Sequence, residues 1–558
     1  MNNPELLSVS PAVREAFAPI LQAVARARGD LAGEKDVAAV RPGYKYPVGS
    51  APQPALVVAV TPGEHLVAET DLEKKYGVPA VVADATVEEQ VARLSAVEPV
   101  SFGTPGGPVA SAFENLIAGE EVVAFGPPKS GSYEPPNPPN LPLVGEPMEL
   151  TICVSPEAGW SELEDFLGAT EKSLTVAMYQ FTAPHVFDAV NAAVSPEGRQ
   201  FELVLHPIPE KPASSGVKAH ELDENSGVLD PLGRILQDRF EMAWATLVSK
   251  AHPDGLWASA YHIKVAVRDG NAAWVSSGNW QSSNQPNVHP FQPGAELPSG
   301  FQRKYNRDYH AIFKNERIAS IFEQYIKRDH DLSAAQAGAP TDFALPDLFV
   351  PEVEEAPEPF AAPPQYFKPL RLNRSVSVQP LLTPDNYAEK ALALIRSAQE
   401  SVWFQNQYIN FRGTDEDFTE FKLLVSALKD QIDQGREVRI ICRDMMKQES
   451  LDILVALGFP AEVFRFQPAC HNKCIIVDKS VVMFGSHNWS NEGVKTNRDA
   501  SLIFNDREIA EYLAEVYDYD WSRLATAHPT KARPRVAKRG EPTPEGFARV
   551  AYSEVFDD

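Results

Sequence analysis

Two stretches of the sequence repeat one pattern of polar residues. The first reads HIKVAVRD over 262–269 and is followed by SSGN at 276–279; the second reads HNKCIIVD over 471–478 and is followed by GSHN at 485–488. The matching positions are His262 with His471, Lys264 with Lys473, Asp269 with Asp478, and Asn279 with Asn488. Identical spacing in both copies indicates an internal duplication, which decides the architecture.

The duplication continues downstream of both motifs. NRDYHAIF begins at Asn306 and NRDASLIF at Asn497, and in each half an Ile-Ala pair follows 12 residues later, with an Asp a further 11 residues on at Asp329 and Asp520. The one large mismatch is a longer, proline-containing segment at 280–305. We expect this segment to be a surface loop over the first site.

Length and composition predict a soluble globular protein of several domains. The chain has 558 residues, 44% of them hydrophobic, which suggests about three domains. Its formal net charge of −25 repels DNA and anionic membrane surfaces at long range. The sequence shows no secretory leader and no apolar run near the roughly 20 residues that cross a bilayer, so a cytoplasmic protein is expected.

The four cysteines predict neither a disulfide framework nor a metal site. Cys470 and Cys474 flank His471, but on an extended strand their Cα atoms would lie about 13 Å apart. No second Cys/His pair at zinc spacing accompanies them. We therefore expect no metal and no cofactor.

Proline-rich stretches and alternating helix and strand patterns predict the domain organisation. Each half alternates helical and strand-like segments, which is typical of an α/β layer structure, whereas proline-rich segments favour extended connectors rather than helix or central strand. The predicted order is an N-terminal α/β accessory domain at 1–126, a Pro-rich linker at 127–147, the first repeat at 148–336, a Pro-rich acidic linker at 337–370, the second repeat at 371–527 and a flexible C-terminal tail at 528–558.

Each motif is predicted to form a β-hairpin that presents its polar residues together. In a strand, residues two apart face the same side, so each His points with its Lys, while Val265, Val267, Cys474 and Ile476 face the core. Two-residue turns at 269–270 and 478–479 would set His262 opposite Ser277 and His471 opposite Ser486.

The resulting cluster contains an imidazole, an ammonium, a hydroxyl and an amide. This combination suits a phosphate group, because Lys supplies charge, Ser and Asn supply hydrogen-bond donors, and His can attack phosphorus or move a proton. A single copy would be weak support, since His beside Lys on a strand is usually an ordinary residue. The duplication favours phosphate chemistry.

The two segments resemble the HKD motif of the phospholipase D superfamily, HxKxxxxD followed by GSxN, and the likeness covers about 148–525. The resemblance implies two tandem α/β/α repeats that form one pseudo-symmetric catalytic unit without a metal. It implies that one His forms a phosphohistidine and the other protonates the leaving group. One departure from the pattern is Ser276, which stands where the family usually has Gly.

By the same resemblance, His262 is expected to be the nucleophile and His471 the general acid. Lys264, Lys473, Asn279 and Asn488, with Ser277 and Ser486, are expected to bind the substrate phosphate. Asp308 and Asp499 occupy the position of a carboxylate that orients the catalytic His. Asp269 and Asp478 complete the catalytic signature, with a mainly structural role beside the turns.

Three functions follow from the resemblance. The first is a phospholipase D-type phosphodiesterase that cleaves or transfers head groups of glycerophospholipids, favoured because WFQNQYI at 403–409 resembles a segment common in phospholipases D. The others are a nuclease and an inactive lipid- or nucleic-acid-binding scaffold. The lack of a spanning segment weighs against a cardiolipin synthase. The expected partner is a phospholipid or other phosphodiester, with peripheral membrane contact left open, and a monomer is expected because one chain carries both motifs.

Overall fold

The apolar residues of both motifs are buried, as strand alternation predicts. Val265, Val267, Cys474 and Ile476 belong to one hydrophobic cluster to which both halves of the chain contribute. The computed structural model describes residues 8–34, 36–47, 49–62, 68–87, 89–90, 93, 112–118, 131–207, 224–249, 252–298, 300–336, 347–351, 364–411, 419–446, 448–527, 534–537, 541–544 and 547–550.

The N-terminal part contains a small mixed sheet flanked by helices. Its elements are α1 (Pro11–Leu31), β1 (Val37–Lys45), β2 (Gln53–Val60), α2 (Glu69–Tyr76), β3 (Ala80–Asp84) and α3 (Ala112–Ala118). β1 pairs antiparallel with β2, and β2 pairs parallel with β3. This is an α/β arrangement, while its status as a separate domain at 1–126 stays a prediction.

The first half alternates strands and helices. Its elements are β4 (Val144–Ser155), α4 (Gly159–Gly168), β5 (Ser173–Met178), α5 (Pro184–Val194), β6 (Gln200–Leu205), a π-helix (Glu224–Leu229), α6 (Asp230–Leu236), a 3-10 turn (Gln237–Arg239), β7 (Phe240–Trp244), β8 (Val265–Arg268), β9 (Ala272–Ser276), α7 (Phe301–Lys304), β10 (Asp308–Lys314) and α8 (Glu316–Ala335). The first motif forms the hairpin β8–β9.

The second half repeats this order after a short strand, β11 (Leu348–Pro351). Its elements are β12 (Leu370–Leu382), α9 (Tyr387–Arg396), β13 (Ser401–Asn406), α10 (Thr419–Asp433), β14 (Glu437–Arg443), α11 (Gln448–Ala456), a 3-10 turn (Ala461–Val463), β15 (Phe464–Gln467), β16 (Lys473–Val477), β17 (Val481–Gly485), α12 (Asn491–Lys495), β18 (Ala500–Phe504), α13 (Arg507–Tyr519) and a π-helix (Asp520–Leu524). Two short strands follow, β19 (Arg535–Val536) and β20 (Phe547–Val550).

Both halves contribute to one continuous sheet. Its 14 strands run in the order β15-β14-β13-β16-β17-β18-β12-β4-β10-β9-β8-β5-β6-β7, so each half is the mirror of the other in strand order. The halves join where β12 pairs antiparallel with β4, from Leu370 opposite Ile152 to Val378 opposite Val144. The pseudo-two-fold axis therefore passes between β4 and β12.

Helices cover both faces of this sheet. On one face a single hydrophobic cluster spans the halves and includes residues of α8 and α13. On the other face each half has its own cluster, with α4 and α5 over the first half and α9 and α10 over the second. The predicted α/β/α class is confirmed.

Two of the predicted connectors contain strand. β11, within the linker predicted at 337–370, is the central strand of a three-stranded sheet between β19 and β20 of the predicted flexible tail. The guanidinium groups of Arg535 and Arg549 lie 4.8 and 5.7 Å from the ring of Phe349. The predictions of a linker without a central strand and of a flexible tail are therefore wrong for these strands, because a buried aromatic and its cation partners stabilise the pairing.

Candidate active site

The motif histidines bond to carboxylates from the opposite half. Nδ1 of His262 lies 2.7 Å from Oδ1 of Asp499, and Nδ1 of His471 lies 2.6 Å from Oδ1 of Asp308. All four side chains are buried. Each Nδ1–H donates to its carboxylate, so Nε2 lies on the side of the ring away from it. In other His–carboxylate pairs, Nε2 is the nitrogen that carries out proton transfer or nucleophilic attack.

The charge of the carboxylates supports this tautomer. Burial alone would raise the pKa of Asp308, but the charge and hydrogen bond of His471 hold it well below its usual range. For Asp499, burial likewise acts upward, while the charge and hydrogen bond of His262 hold the pKa below the ordinary value. Both groups are therefore ionised near neutral pH and accept the imidazole N–H.

Backbone pairing aligns each NRD segment with the opposite motif. The amide N–H of His262 donates to the carbonyl of Arg498 at 2.7 Å, and that of Asn472 donates to the carbonyl of Arg307 at 2.8 Å. These short parallel bridges place Asp499 beside the first motif and Asp308 beside the second. The pairing of each motif histidine with a carboxylate of the other half follows from these bridges.

The serines of the two motifs bind the same carboxylates. Ser277 Oγ donates to Asp308 Oδ1 at 2.8 Å, and Ser486 Oγ donates to Asp499 Oδ1 at 2.7 Å. A hydroxyl has one hydrogen to give, and in this structure both serines give it to a carboxylate, so their predicted contact with phosphate stays a prediction. Each carboxylate thereby joins one motif to the other, which brings both motifs to one site.

The motif lysines are buried beside the histidines. Nζ of Lys264 donates to the carbonyl of His262, and Nζ of Lys473 to the carbonyl of His471, each at 2.7 Å. Lys264 also lies 4.9 Å from the ring centre of Tyr179. Nζ of Lys473 also donates to Gln407 at 3.5 Å. The predicted contact of both lysines with phosphate stays a prediction.

The motif asparagines differ between the halves. Asn279 Nδ2 donates to Gln281 at 3.1 Å and to Gln180 at 3.3 Å. Neither polar atom of the Asn488 side chain has a hydrogen-bond partner among the described residues, although the side chain is buried. Buried amides normally find partners, so this one is available to a ligand, as its predicted role requires.

The turn aspartates stabilise backbone, as predicted, and bind no catalytic group in the part of the chain described. Asp269 accepts the backbone N–H groups of residues 171–173, and Asp478 those of residues 399–401. They lie at the far ends of β8 and β16 from the histidines. Their inclusion in the catalytic set is therefore corrected to a structural role at the turns.

The predicted hairpin register is wrong by one residue in both halves. Arg268 pairs with Ala272 and Val477 with Val481, so each turn has three residues and not two. Positive φ angles at Asp269, Gly270, Asp478 and Lys479 form these turns. The carboxylate bonds of Asp269 and Asp478 hold this wider turn, a tertiary effect that turn preferences alone do not include.

A second imidazole lies beside each carboxylate and bonds to a serine. In the first half the motif supplies the serine, whereas in the second half the motif supplies the histidine. In the first half, Ser276 bonds to Nδ1 of His310 on β10 at 2.8 Å; in the second, His487 of the motif bonds through Nδ1 to Ser501 on β18 at 2.7 Å. Burial lowers the pKa of His310 to about 4 and that of His487 to about 3. Both rings are neutral at physiological pH.

Two buried arginines connect the halves and were not predicted as site residues. Arg307 binds Asp520 of the opposite half through two hydrogen bonds of 3.0 and 3.1 Å and Glu157 of its own half at 2.5 Å. Arg498 binds Asp329 of the opposite half through two bonds of 2.7 Å and Asp385 at 2.7 Å. The repeated spacing of Asp329 and Asp520 was the signal available in the sequence.

Comparison with known proteins agrees with this site. The family model described as "Cardiolipin synthase, PLD-like domain" matches residues 391–521. Cardiolipin synthase A of Pseudomonas aeruginosa (strain LESB58) is 22% identical over 335 residues, which cover 59% of this chain and 55% of the relative. Cardiolipin synthase A of Pseudomonas putida (strain GB-1) is 27% identical over 158 residues, 27% of this chain and 31% of the relative.

Two solved structures are similar over parts of the chain. Phosphatidylserine synthase of Haemophilus influenzae Rd KW20 has a TM-score of 0.46 at 14% identity and covers 71% of this chain and 92% of its own. Nuc of Salmonella typhimurium, a phospholipase D family member, has a TM-score of 0.22 at 24% identity and covers 27% of this chain and 96% of its own.

The duplicated motif, the matched family model and the cardiolipin synthase relatives support membership of the phospholipase D superfamily. The matched region spans little more than half the length of the Pseudomonas aeruginosa relative. No helix in the described part of the chain is long and apolar enough to cross a membrane. That the lack of a spanning segment weighs against a cardiolipin synthase stays a prediction.

Proposed function

We propose that the protein cleaves or transfers phosphodiester head groups of glycerophospholipids through a phosphohistidine, without a metal ion. The observation that carries the proposal is the pair of His–carboxylate hydrogen bonds, each made between opposite halves, at 2.6 and 2.7 Å. This arrangement supplies two imidazoles, each with Nδ1 bonded to a carboxylate and Nε2 on the opposite side of the ring. One can attack phosphorus while the other carries a proton.

In the proposed first step, Nε2 of His262 attacks phosphorus as the bond from phosphorus to the head-group oxygen breaks. The Nε2 proton of His471 moves to that oxygen, so the head group leaves as a neutral alcohol. In the second step, water or an alcohol attacks phosphorus, gives its proton to Nε2 of His471, and the N–P bond breaks. Lys264, Lys473 and Asn488 stabilise the phosphoryl oxygens in both steps.

The comparisons support a lipid substrate. The acceptor of the phosphatidyl group is water or an alcohol. The relatives are cardiolipin synthases, and this favours transfer of the phosphatidyl group to an alcohol in addition to hydrolysis. The net charge of −25 weighs against a nucleic-acid substrate. We also propose that the protein acts in the cytoplasm, in peripheral contact with its lipid.

A matched assay in chelator tests the proposal. The full chain is incubated with phosphatidylglycerol, phosphatidylcholine and plasmid DNA, with and without added glycerol, and products are separated. We expect lipid turnover, conversion of phosphatidylcholine to phosphatidylglycerol in a share that follows the glycerol concentration, and acid-labile phosphate on His262 after rapid quench. Plasmid nicking without lipid turnover would assign the nuclease function, and no turnover with retained lipid binding would assign the scaffold.

A further inference from the structure

The two His–carboxylate pairs differ in one contact. Asp308 accepts His471 and Ser277 on Oδ1, and its Oδ2 accepts Nδ2 of Asn284 at 2.9 Å. Asp499 accepts His262 and Ser486 on Oδ1, but its Oδ2 has no hydrogen-bond partner among the residues that the structure describes. One carboxylate is thus bonded on both oxygens and the other on one.

Asn284 has no equivalent in the second half. It belongs to the 280–305 segment, is fully buried, and also lies with Nδ2 3.2 Å from Nδ1 of His471. Counted from the motif asparagines, its counterpart is Gly493, which has no side chain. The start of this segment is therefore part of the site and not only a surface loop, and it reaches the histidine of the opposite half.

The neighbours of Asp499 do not replace this contact. Where the first motif has Gly278 packed against Asp308, the second has His487. Burial lowers the pKa of His487 to about 3, so it adds no positive charge near neutral pH. The charge of Lys264 acts on Asp499 and lowers its pKa, but no described residue donates a hydrogen bond to its Oδ2.

We propose that Asn284 is a positioning residue that makes His471 the better proton donor and so fixes which histidine is the acid and which the nucleophile. An amide that donates to a carboxylate draws negative charge away from it, and the carboxylate then holds the partner imidazolium proton less tightly. The nearby amide hydrogens also repel the Nδ1–H of His471. His262, whose Asp499 keeps one oxygen unbonded, is left the more electron-rich ring and the better nucleophile.

This inference rests on the proposed function and is tested by the leaving group. Phosphatidylglycerol expels an alkoxide that needs a proton, whereas phosphatidyl-p-nitrophenol expels a stable phenolate that needs none. Both substrates deliver the same phosphatidyl group to His262. The ratio of their kcat/KM values therefore reports on acid catalysis alone, and it does not depend on the fraction of correctly folded enzyme.

We expect Asn284→Leu to lower kcat/KM for phosphatidylglycerol by about ten-fold, a part of the 10²–10⁴ that general acid catalysis supplies. We expect kcat/KM for phosphatidyl-p-nitrophenol to change by less than about two-fold. Asn284→Ala, a smaller replacement, should change the ratio in the same direction if the leucine variant folds poorly. Asn287→Leu makes the same exchange at an exposed position of the segment and should leave both substrates unchanged.

Three results would overturn the inference. Equal loss on both substrates would mean that Asn284 supports the fold or substrate binding; no loss on either would mean that the contact is without effect; a larger loss on the p-nitrophenyl ester would invert the roles. Failure of the proposed function is separate, because it would appear as absence of lipid turnover in the unsubstituted protein.

Discussion

The two halves of the catalytic unit share their strand order but not the residues around their motifs. Each half gives its histidine to a carboxylate of the other, at 2.7 Å for His262 and 2.6 Å for His471. Beside each pair, a serine bonds to a second histidine. In the first half Ser276 of the motif bonds to His310 of the next strand, and in the second half His487 of the motif bonds to Ser501 of the next strand. The duplication has therefore kept a set of distances and contacts while the residues that provide them have changed.

The halves also differ in what surrounds them. The first half contributes the 280–305 segment, whose Asn284 reaches the opposite histidine. The second half carries the N-terminal sheet: Tyr46 donates to Asp452 of α11 at 2.7 Å, and Arg41 lies 3.6 Å from the same carboxylate. The predictions that follow test where the halves are equivalent and where they are not.

The largest difference is expected between the histidines. His262→Ala should abolish turnover of every phosphodiester, by roughly 10⁶-fold, because the nucleophile is lost. His471→Ala should lower turnover of phosphatidylglycerol by about 10²–10⁴ but spare a p-nitrophenyl ester, because only the acid is lost. Steady-state rates on both esters, with circular dichroism as the folding control, measure this. Equal loss for both variants on both esters would contradict the assigned roles.

The cross-half pairing predicts that a carboxylate acts on the other half's chemistry. Asp499→Asn should slow phosphorylation of His262 by about 10³–10⁴, since an amide in this place favours the wrong imidazole tautomer. Asp308→Asn should instead slow the alkyl ester more than the p-nitrophenyl ester. Rapid-quench trapping of the phosphoenzyme separates the two. If Asp308→Asn also blocked trapping with the p-nitrophenyl ester, the assignment of one carboxylate to each step would fail.

The arginine clamps are expected to be equivalent. Arg307→Met and Arg498→Met each leave two buried carboxylates without their cation, which should lower the free energy of unfolding by about 3–5 kcal/mol. Urea denaturation of each variant measures this. Adding Asp329→Leu to Arg498→Met should recover part of the loss, because one unpaired charge is removed. A loss below about 1 kcal/mol in either variant would show that its clamp is not needed.

The docking of the N-terminal sheet predicts a pH dependence peculiar to the second half. Burial raises the pKa of Asp452 from 3.8 to about 6, although Arg41 and Tyr46 act in the opposite direction. The folded protein therefore holds this proton more tightly than the unfolded chain, and the resulting stability is full below pH 3.8 and is lost as pH rises through 6.

Asp452→Asn removes this titration. Between pH 4 and 7 the free energy of unfolding of the parent should change relative to the variant by up to about 3 kcal/mol, with the parent losing stability as pH rises. Denaturation at unit pH steps measures the difference, in which titrations common to both proteins cancel. Parallel curves would show that the carboxyl is not perturbed.

The smallest contrast lies in the hairpin turns. Gly270 has φ +66° and its counterpart Lys479 has φ +49°. Gly270→Ala should destabilise by about 1 kcal/mol, because a Cβ is disfavoured there. Lys479→Gly should be nearly neutral, since relief of that strain is offset by loss of the ammonium 4.4 Å from the ring of Trp403. Thermal unfolding compares the two, and a stabilising Gly270→Ala would contradict the three-residue turn.

Much of the fold and the reacting groups was predictable from the sequence. The duplicated spacing predicted two similar halves, the family resemblance implied that they are α/β/α, and strand alternation predicted that Val265, Val267, Cys474 and Ile476 are buried. The family resemblance, applied to Asp308 and Asp499 at equal positions after each motif, implied carboxylates for the histidines. These features depend on local periodicity and on repetition, which a single chain displays directly.

Features that depend on how distant segments meet were missed. The turns have three residues because Asp269 and Asp478 bind backbone N–H groups more than 75 residues away in the chain. The linker strand β11 forms because tail strands pair with it on both sides. Asn284 lies in the segment without a counterpart in the other half, so repetition gave no reason to select it.

The exchanged hydroxyl and imidazole have a consequence for chimeras. Replacing GSHN of the second half by SSGN would remove His487 and its bond to Ser501. It would also place a serine side chain at position 485, where Gly485 packs against the backbone of Ala500 and Ser501. A transplanted motif would therefore need the matching residue of the adjoining strand, His310 for one copy and Ser501 for the other. The motif strand and the adjoining strand therefore form one structural unit. A chimera that exchanged only one of them would leave a histidine without its hydroxyl partner or create a steric clash.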